Sequence, residues 1–375
     1  MRFPAIDEVT RLQRLEPPTG KVSVVIDTDT ANEIDDQFAI AWALLRSDVV
    51  DIKAVIAEPF SFAHHREPLM RADRARKAAA SSAGASPPVL GSSGVDESQP
   101  FLEHYDEWLK RLDQQGTTVD ELKFTSPAEG VDLSVAEINR VFEAAGVDST
   151  GLVFRGADRY MTEAEGAVPS EGVHRLIELA RGSDDLLYVA AIGCITNVAS
   201  ALLIAPDIVD KIVVLWTSGY PSNDERSNRP SLNLVQDVHA TRVVLESGVP
   251  YVYMPGYLVG QQLSISQPEM HQWVKGTGRL GDLLVDLYDN NPLYPLMGIG
   301  DHFVRSWVIW DLICLAWLIE PSLVPTVIRP TPKLAEDLRW DLTNAGERHV
   351  MREAVDVDRD GIFRDLFTRL AGANT

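Results

Sequence analysis

Residues 21–37 constrain the fold of this chain more than any other segment. An apolar, β-branched run is followed there by five acidic residues within ten positions, and the apolar spacing then changes from strand-like to helix-like. This pattern predicts a strand, a turn and a helix. Asp27 and Asp29 would then lie on the same side of the end of the strand, with Asp35 and Asp36 in the first turn of the helix.

Four carboxylates that face one crevice disfavour one another's ionisation, because like charges repel. A bound hard cation removes this cost, and Ca²⁺ takes about six to eight oxygen ligands, carboxylates among them. The alternative is that Asp35 and Asp36 only favour the helix N-terminus, and that Asp27 and Asp29 only form the turn. Their combination in one strand–turn–helix segment favours a metal site.

Composition and charge narrow the class of partner. The chain has 375 residues and a formal net charge of −21, which argues against nucleic-acid and anionic-membrane partners. The longest apolar run, residues 307–319, is too short to span a bilayer and contains Asp311. Cys194 and Cys314 each stand in an apolar run, which is typical of buried thiols in a reducing cytoplasm. We therefore expect a cytoplasmic protein that binds a small molecule or a metal.

Strand-like and helix-like segments alternate along most of the chain, which is typical of βαβ units and a parallel sheet. Residues 1–20 are interpreted as an N-terminal extension and residues 21–375 as a single α/β domain, with an insertion at residues 66–130. Asn32 is the expected N-cap of the first helix of the domain. The adjacent His64 and His65 are typical of a solvated loop, and lining the ligand pocket is the alternative.

Three separated segments resemble the nucleoside hydrolase family, whose signature is Asp-x-Asp after the first strand, a short turn and then Asp-Asp. Asp27-Thr28-Asp29 and Asp35-Asp36 match this signature, although the turn is two residues longer than in the best-studied members. Gly193-Cys194-Ile195-Thr196-Asn197 matches the family's Gly-x-x-Thr-Asn turn, and Asp311 matches a metal-binding aspartate. The chain is therefore identified as a divergent member, similar to inosine- and uridine-preferring nucleoside hydrolases.

The resemblance implies a fold, an activity and a set of site residues. The fold would be an open, mostly parallel central sheet flanked by helices, in the Rossmann-like architecture of the family. The activity would be Ca²⁺-dependent hydrolysis of the N-glycosidic bond of a nucleoside or related N-riboside, as in purine and pyrimidine salvage, by a homo-oligomer, either a dimer or a tetramer. The implied metal ligands are Asp29, Asp36, Asp311 and the Ile192 carbonyl, the implied ribose ligands are Asp35 and Asn233, and Asp29 would take a proton from a metal-bound water.

Two positions depart from the family pattern. Ser231 replaces a glutamate that grips ribose, and we expect Glu33 in the lengthened turn to compensate. Trp310 stands where a histidine is expected beside the leaving base. Acid assistance would then come from His302, or stacking on Trp310 would raise the basicity of a purine; ordinary core packing is the alternative for Trp310.

Two other functions remain open from the sequence. A haloacid-dehalogenase-type phosphatase also begins with Asp-x-Asp, but it needs Thr or Val two residues after the second aspartate, where this chain has Ala31. A non-catalytic protein that binds a ribosyl ligand on the same scaffold is the second alternative, because Ser231 and Trp310 replace groups that the family uses in turnover.

Overall fold

The computed structural model describes residues 3–81, 105–164, 166–224, 231–300 and 305–372. Within these ranges, strands and helices alternate as the sequence predicts. The strands are β1 Val22–Thr28, β2 Val50–Ala57, β3 Val153–Arg155, β4 Leu187–Ala191, β5 Ile212–Ser218, β6 Tyr251–Pro255, β7 Ser264–Ser266, β8 Ser306–Val308, β9 Thr326–Pro330, β10 Lys333–Leu334, β11 Trp340–Asp341 and β12 Val350–Ala354.

The helices cover both faces of the main sheet. They are α1 Glu8–Arg14, α2 Asp35–Leu45, α3 Arg66–Ser81, α4 Tyr105–Gln115, α5 Pro127–Ala145, α6 Glu171–Gly182, α7 Thr196–Ile204, α8 Leu232–Gln236, α9 Val238–Ser247, α10 Gln267–Trp273, α11 Arg279–Asp289, α12 Leu293–Met297, α13 Leu312–Ile319 and α14 Arg359–Gly372. No helix of the described segments is long and apolar enough to cross a bilayer.

The central sheet has eight strands in the order β3-β2-β1-β4-β5-β6-β12-β9. Strand β9 pairs antiparallel with β12, and the other neighbours pair in parallel. The predicted open, mostly parallel α/β sheet is therefore confirmed. The chain builds the sheet to one side of β1 and then to the other, so that β1 and β4 flank a topological switch point, where open α/β sheets bind ligands.

Burial on both faces explains why β1 is a continuous apolar run. Val24 and Ile26 pack into one apolar cluster, and Val25 packs into the other on the opposite face. In α2, Phe38 and Trp42 are fully buried, which holds this helix against the sheet directly after the acidic turn. The packing thus fixes where the turn between β1 and α2 lies.

In the first segments of the chain, one predicted cap was wrong and one contact was not predicted. The N-cap of α2 is Ile34, so the prediction of Asn32 was wrong; Ala31 has a φ of 81°, and the turn directs the Asn32 side chain to Asp29 instead. The N-terminal segment contacts the domain, since Arg11 Nη1 donates to the Gly248 carbonyl at 2.6 Å. Part of the predicted insertion, residues 82–104, lies outside the described residues.

Candidate active site

A cavity of about 120 Å³ opens at the carboxyl ends of the central strands. Its acidic wall comes from the turn after β1, the start of α2 and the residue before α13. Three backbone segments, at residues 192, 217–219 and 231–233, complete the polar side. Eight of the residues that the sequence assigned to the site line this cavity: Asp29, Glu33, Asp35, Asp36, Ile192, Asn233, Trp310 and Asp311. His302, the remaining candidate, lies outside the described residues.

Three carboxylates come close enough together to share a cation. Each of the three contributes one carboxylate oxygen, and these oxygens lie within 4.8 Å of one another. The three residues, Asp35, Asp36 and Asp311, are all buried. Asp29 lines the same cavity but is not part of this group. Its Oδ2 atom accepts hydrogen bonds from Asn32 Nδ2 at 2.8 Å and from Gln236 Nε2 at 3.3 Å.

Burial raises the pKa of every carboxyl group in this wall. The pKa of Asp29 rises to about 7 despite the hydrogen bonds from Gln236 and Asn32, and burial with the charges of Asp29 and Asp36 raises the pKa of Glu33 to about 8. Burial and the neighbouring carboxylates also hold the pKa of Asp35, Asp36 and Asp311 well above the usual value. The cavity's described lining includes no lysine, arginine or histidine. The arrangement therefore favours a bound cation over five free charges.

The turn after β4 brings a carbonyl and a glycine to the same place. The Ile192 carbonyl accepts a hydrogen bond from Asn233 Nδ2 at 3.2 Å, and the same amide donates to the Thr217 carbonyl at 3.1 Å. At Gly193 a Cβ atom would lie 2.9 Å from Asp29 Cγ. Glycine is required there because the turn and Asp29 approach each other so closely.

The two residues that depart from the family pattern both line the cavity. The Ser231 hydroxyl accepts a hydrogen bond from the Gly219 backbone N–H at 2.7 Å and pairs with the Ser218 hydroxyl, so it fastens the neighbouring loop. Trp310 is half-buried on the cavity wall, with its ring 5.5 Å from that of Tyr257.

The family model for inosine-uridine preferring nucleoside hydrolases matches residues 24–364. This chain belongs to the inosine-uridine preferring nucleoside hydrolase family. The predicted resemblance is confirmed, and the phosphatase alternative is set aside because its signature belongs to another family.

Relatives of this family member are distant in sequence. The pyrimidine-specific ribonucleoside hydrolase RihB of Escherichia coli is 26% identical over 163 residues, which are 43% of this chain and 50% of the relative, so the match spans about half of that protein. A plant nucleoside hydrolase structure has a TM-score of 0.60 at 14% identity, covering 94% of this chain and 99% of the other. The type III effector protein XopQ, solved with adenosine diphosphate ribose, has a TM-score of 0.55 at 17% identity, covering 98% of each chain. These structures show the shared fold.

Behind the cavity, this nucleoside hydrolase family member has a buried polar network that the sequence did not reveal. Glu58, at the end of β2, is fully buried and accepts hydrogen bonds from the Asn197 N–H at 3.1 Å and from the Cys194 thiol at 3.0 Å. Asn197 Nδ2 donates to Asp27 Oδ1 at 2.9 Å. The one signal for Glu58 is an acidic residue directly after an apolar strand. This network ties β1 and β2 to the turn that carries Ile192.

Gln236 is the other functional candidate that sequence reasoning missed. Besides its contact with Asp29, its Oε1 atom accepts hydrogen bonds from the Ser61 N–H at 2.9 Å and from the Tyr160 hydroxyl at 2.8 Å. No spacing in the sequence distinguishes this glutamine. The adjacent histidines do not line the cavity; His65 Nδ1 instead lies 2.8 Å from the Tyr105 hydroxyl.

Proposed function

We propose that this family member hydrolyses the N-glycosidic bond of a nucleoside or a related N-riboside with the help of Ca²⁺. The observation that carries the proposal is the convergence of five carboxyl groups on one cavity whose described lining has no cationic side chain. A chain of this family with such a cavity needs a bound cation to keep these groups ionised. The positive charge that develops on the sugar during the reaction would then lie next to ionised carboxylates, which stabilise it.

The donor set fits a hard cation. Asp29, Asp36, Asp311 and the Ile192 carbonyl would hold Ca²⁺, with Asp35 adjacent, and every one of these donors is an oxygen. The bound ion would supply positive charge that lowers the pKa of a water molecule and helps to align it.

Asp29 is the proposed general base. Because Asn32 and Gln236 both donate to Oδ2, the Oδ1 atom is left to take the proton from the attacking water. The water oxygen then bonds to the anomeric carbon, and the base leaves with the electrons of the C–N bond. Asp35, Asn233 and Glu33 would bind the ribose hydroxyls, and the carboxylates would stabilise the oxocarbenium-like sugar. An acidic cavity disfavours phosphorylated substrates and so favours free nucleosides. We propose that the chain acts in nucleoside salvage as a cytoplasmic homo-oligomer.

The test is release of free base or reducing sugar from a panel of purine and pyrimidine nucleosides, in Ca²⁺ or in chelator. We expect turnover that requires Ca²⁺ and that falls by at least about a hundredfold in Asp29→Asn, because a general base contributes about 10²–10⁴-fold. Asp158→Asn is the matched control, since that aspartate is exposed at the surface. Equal turnover in Asp29→Asn and wild type would refute the assignment of Asp29.

A second candidate function is ligand binding without turnover. One observation favours it: the Ser231 hydroxyl is engaged with Gly219 where a ribose-gripping carboxylate is expected. Calorimetric titration of the Ca²⁺-loaded protein with ribose and with adenosine separates the two functions. Binding of either ligand, together with no turnover of any nucleoside, would favour the binding protein.

A further inference from the structure

Two aromatic rings form part of the cavity wall. The rings of Trp310 and Tyr257 line it edge to face, with centroids 5.5 Å apart at 65°. Tyr220 stacks behind Tyr257 at 4.5 Å and 16°, which supports this wall from outside. Gly256 and Gly260 lie beside the indole, and a Cβ at either would come within 4 Å of Trp310 Cε3. A planar ring system can therefore lie against a preformed aromatic surface.

The charges around this wall have one sign. Five carboxyl groups line the cavity, and its described lining contributes no positive side chain. A lining with acidic groups and no basic ones favours a cationic ligand over a neutral one. Aromatic faces next to a desolvated cation add to this preference through cation–π attraction.

At the position where the family has a histidine, Trp310 offers no acid to an ordinary nucleobase. A purine or pyrimidine leaves as a poor anion unless an acid protonates it, and an indole has no proton to give near neutral pH. A base that already carries a positive charge in the substrate needs no such acid. Its charge is neutralised by the same electron pair that it takes from the broken bond.

We propose that the preferred substrate is a cationic N-riboside of the N-ribosylpyridinium class, bound with its charged ring against Trp310 and Tyr257. This inference rests on the proposed hydrolase function and names its substrate class. In the reaction, the C–N⁺ bond breaks, and a neutral pyridine leaves with both electrons. Water oxygen bonds to the anomeric carbon, and the water's proton passes to Asp29. No oxidant, reductant or general acid is required.

The first experiment compares three ribosides at equal Ca²⁺: nicotinamide riboside, inosine and p-nitrophenyl riboside. The first carries a cationic leaving group, the second needs acid assistance, and the third leaves without protonation but is neutral. We expect kcat/KM for nicotinamide riboside to exceed that for inosine by at least about a hundredfold, the size of an acid-catalysis contribution.

Two substitutions at one position test the role of the aromatic wall. Trp310→Leu should lower kcat/KM for nicotinamide riboside by about tenfold, in line with a lost cation–π contact, and should change p-nitrophenyl riboside much less. Trp310→His restores a proton donor, and it should raise inosine hydrolysis relative to nicotinamide riboside.

Binding provides a readout that does not depend on turnover. Nicotinamide riboside should quench the tryptophan fluorescence of Asp29→Asn, because an electron-poor pyridinium would stack on the indole of Trp310. The quenching should be lost when Trp310→Leu is added. It should persist when Trp273→Phe is added instead, because Trp273 is 58% exposed and does not line the cavity.

The outcomes distinguish the proposed substrate class from the proposed hydrolase activity. Hydrolysis of p-nitrophenyl riboside and inosine with no preference for nicotinamide riboside would overturn the substrate class and leave the hydrolase intact. Failure on all three ribosides would overturn the proposed function and the inference with it. Equal kcat/KM for nicotinamide riboside in wild type and Trp310→Leu, with unchanged quenching, would also overturn the inference.

Discussion

Gly193 shows how closely the site is built around Asp29. A Cβ at this position would lie 2.9 Å from Asp29 Cγ and 3.0 Å from the Asp29 backbone nitrogen. We therefore expect Gly193→Ala to lower kcat at least about tenfold and to cost about 1–3 kcal/mol of unfolding free energy, because either Asp29 or the turn must move. Steady-state kinetics and urea unfolding measure the two effects.

The matched control is Gly182→Ala, because no atom lies within 4 Å of a Cβ built there. This variant should retain wild-type kcat and should be as stable as the wild type or slightly more, since alanine favours a helix over glycine. If Gly193→Ala also kept full activity and stability, Asp29 would not depend on this contact.

The acidic residues were predictable from the sequence, and their hydrogen-bond partners were not. Five carboxylates in ten positions are an unusual composition, whatever the fold. Gln236 lies 207 residues from Asp29 in the sequence, and only the packing of α8 against the sheet brings the two together. The substitution at Ser231 was visible, but its bond to the Gly219 N–H depends on a backbone path that no local pattern encodes.

The alternation of strands and helices was predicted correctly because each element carries its own periodicity. Element boundaries depend on capping chemistry as well as on periodicity. Helix α5 begins at Pro127, where Ser126 and Glu129 form a reciprocal capping box. That signal stood in the sequence, inside the segment interpreted as an insertion.

The buried imidazole of His65, in the loop that follows β2, contacts helix α4. This contact predicts that the stability of the protein depends on pH. His65 packs against Tyr105 and Trp108, and burial, with a smaller effect of His64, lowers the pKa of His65 to about 3. Between about pH 3 and the ordinary histidine pKa of about 6.5, the unfolded chain binds more protons than the folded chain. Stability is therefore full above pH 6.5 and falls as the pH drops below it.

Urea unfolding at pH 7, 6 and 5 measures this effect. We expect His65→Gln to be less stable than wild type at pH 7 but to lose less stability on acidification, by up to about 1.4 kcal/mol per pH unit. His174→Gln, on the exposed face of α6, should follow the wild-type pH dependence. Parallel pH curves for His65→Gln and wild type would mean that this imidazole is not held neutral.

At the scale of the whole molecule, one topological feature assembles the site. The sheet grows from β1 towards β3 on one side and from β4 towards β6 on the other, so the segments at residues 27–36 and 191–197 end at the same edge. The βαβ alternation predicted that edge. It did not predict the antiparallel β9, because edge pairing depends on the packing of the last segments and not on any local period.

The crowded carboxylates predict opposite effects of one substitution in the presence and absence of Ca²⁺. Asp311 is buried beside Asp35 and Asp36, and their charges add to burial in raising its pKa. In chelator, Asp311→Asn should therefore unfold at a higher urea concentration than wild type, because it removes one of the mutually repelling groups. In Ca²⁺ at about a hundred times Kd, wild type should gain about 2.7 kcal/mol, and the variant should gain little, because it has lost a ligand. The surface variant Asp158→Asn should match wild type in both conditions, and an undiminished Ca²⁺ effect in Asp311→Asn would place the ion elsewhere.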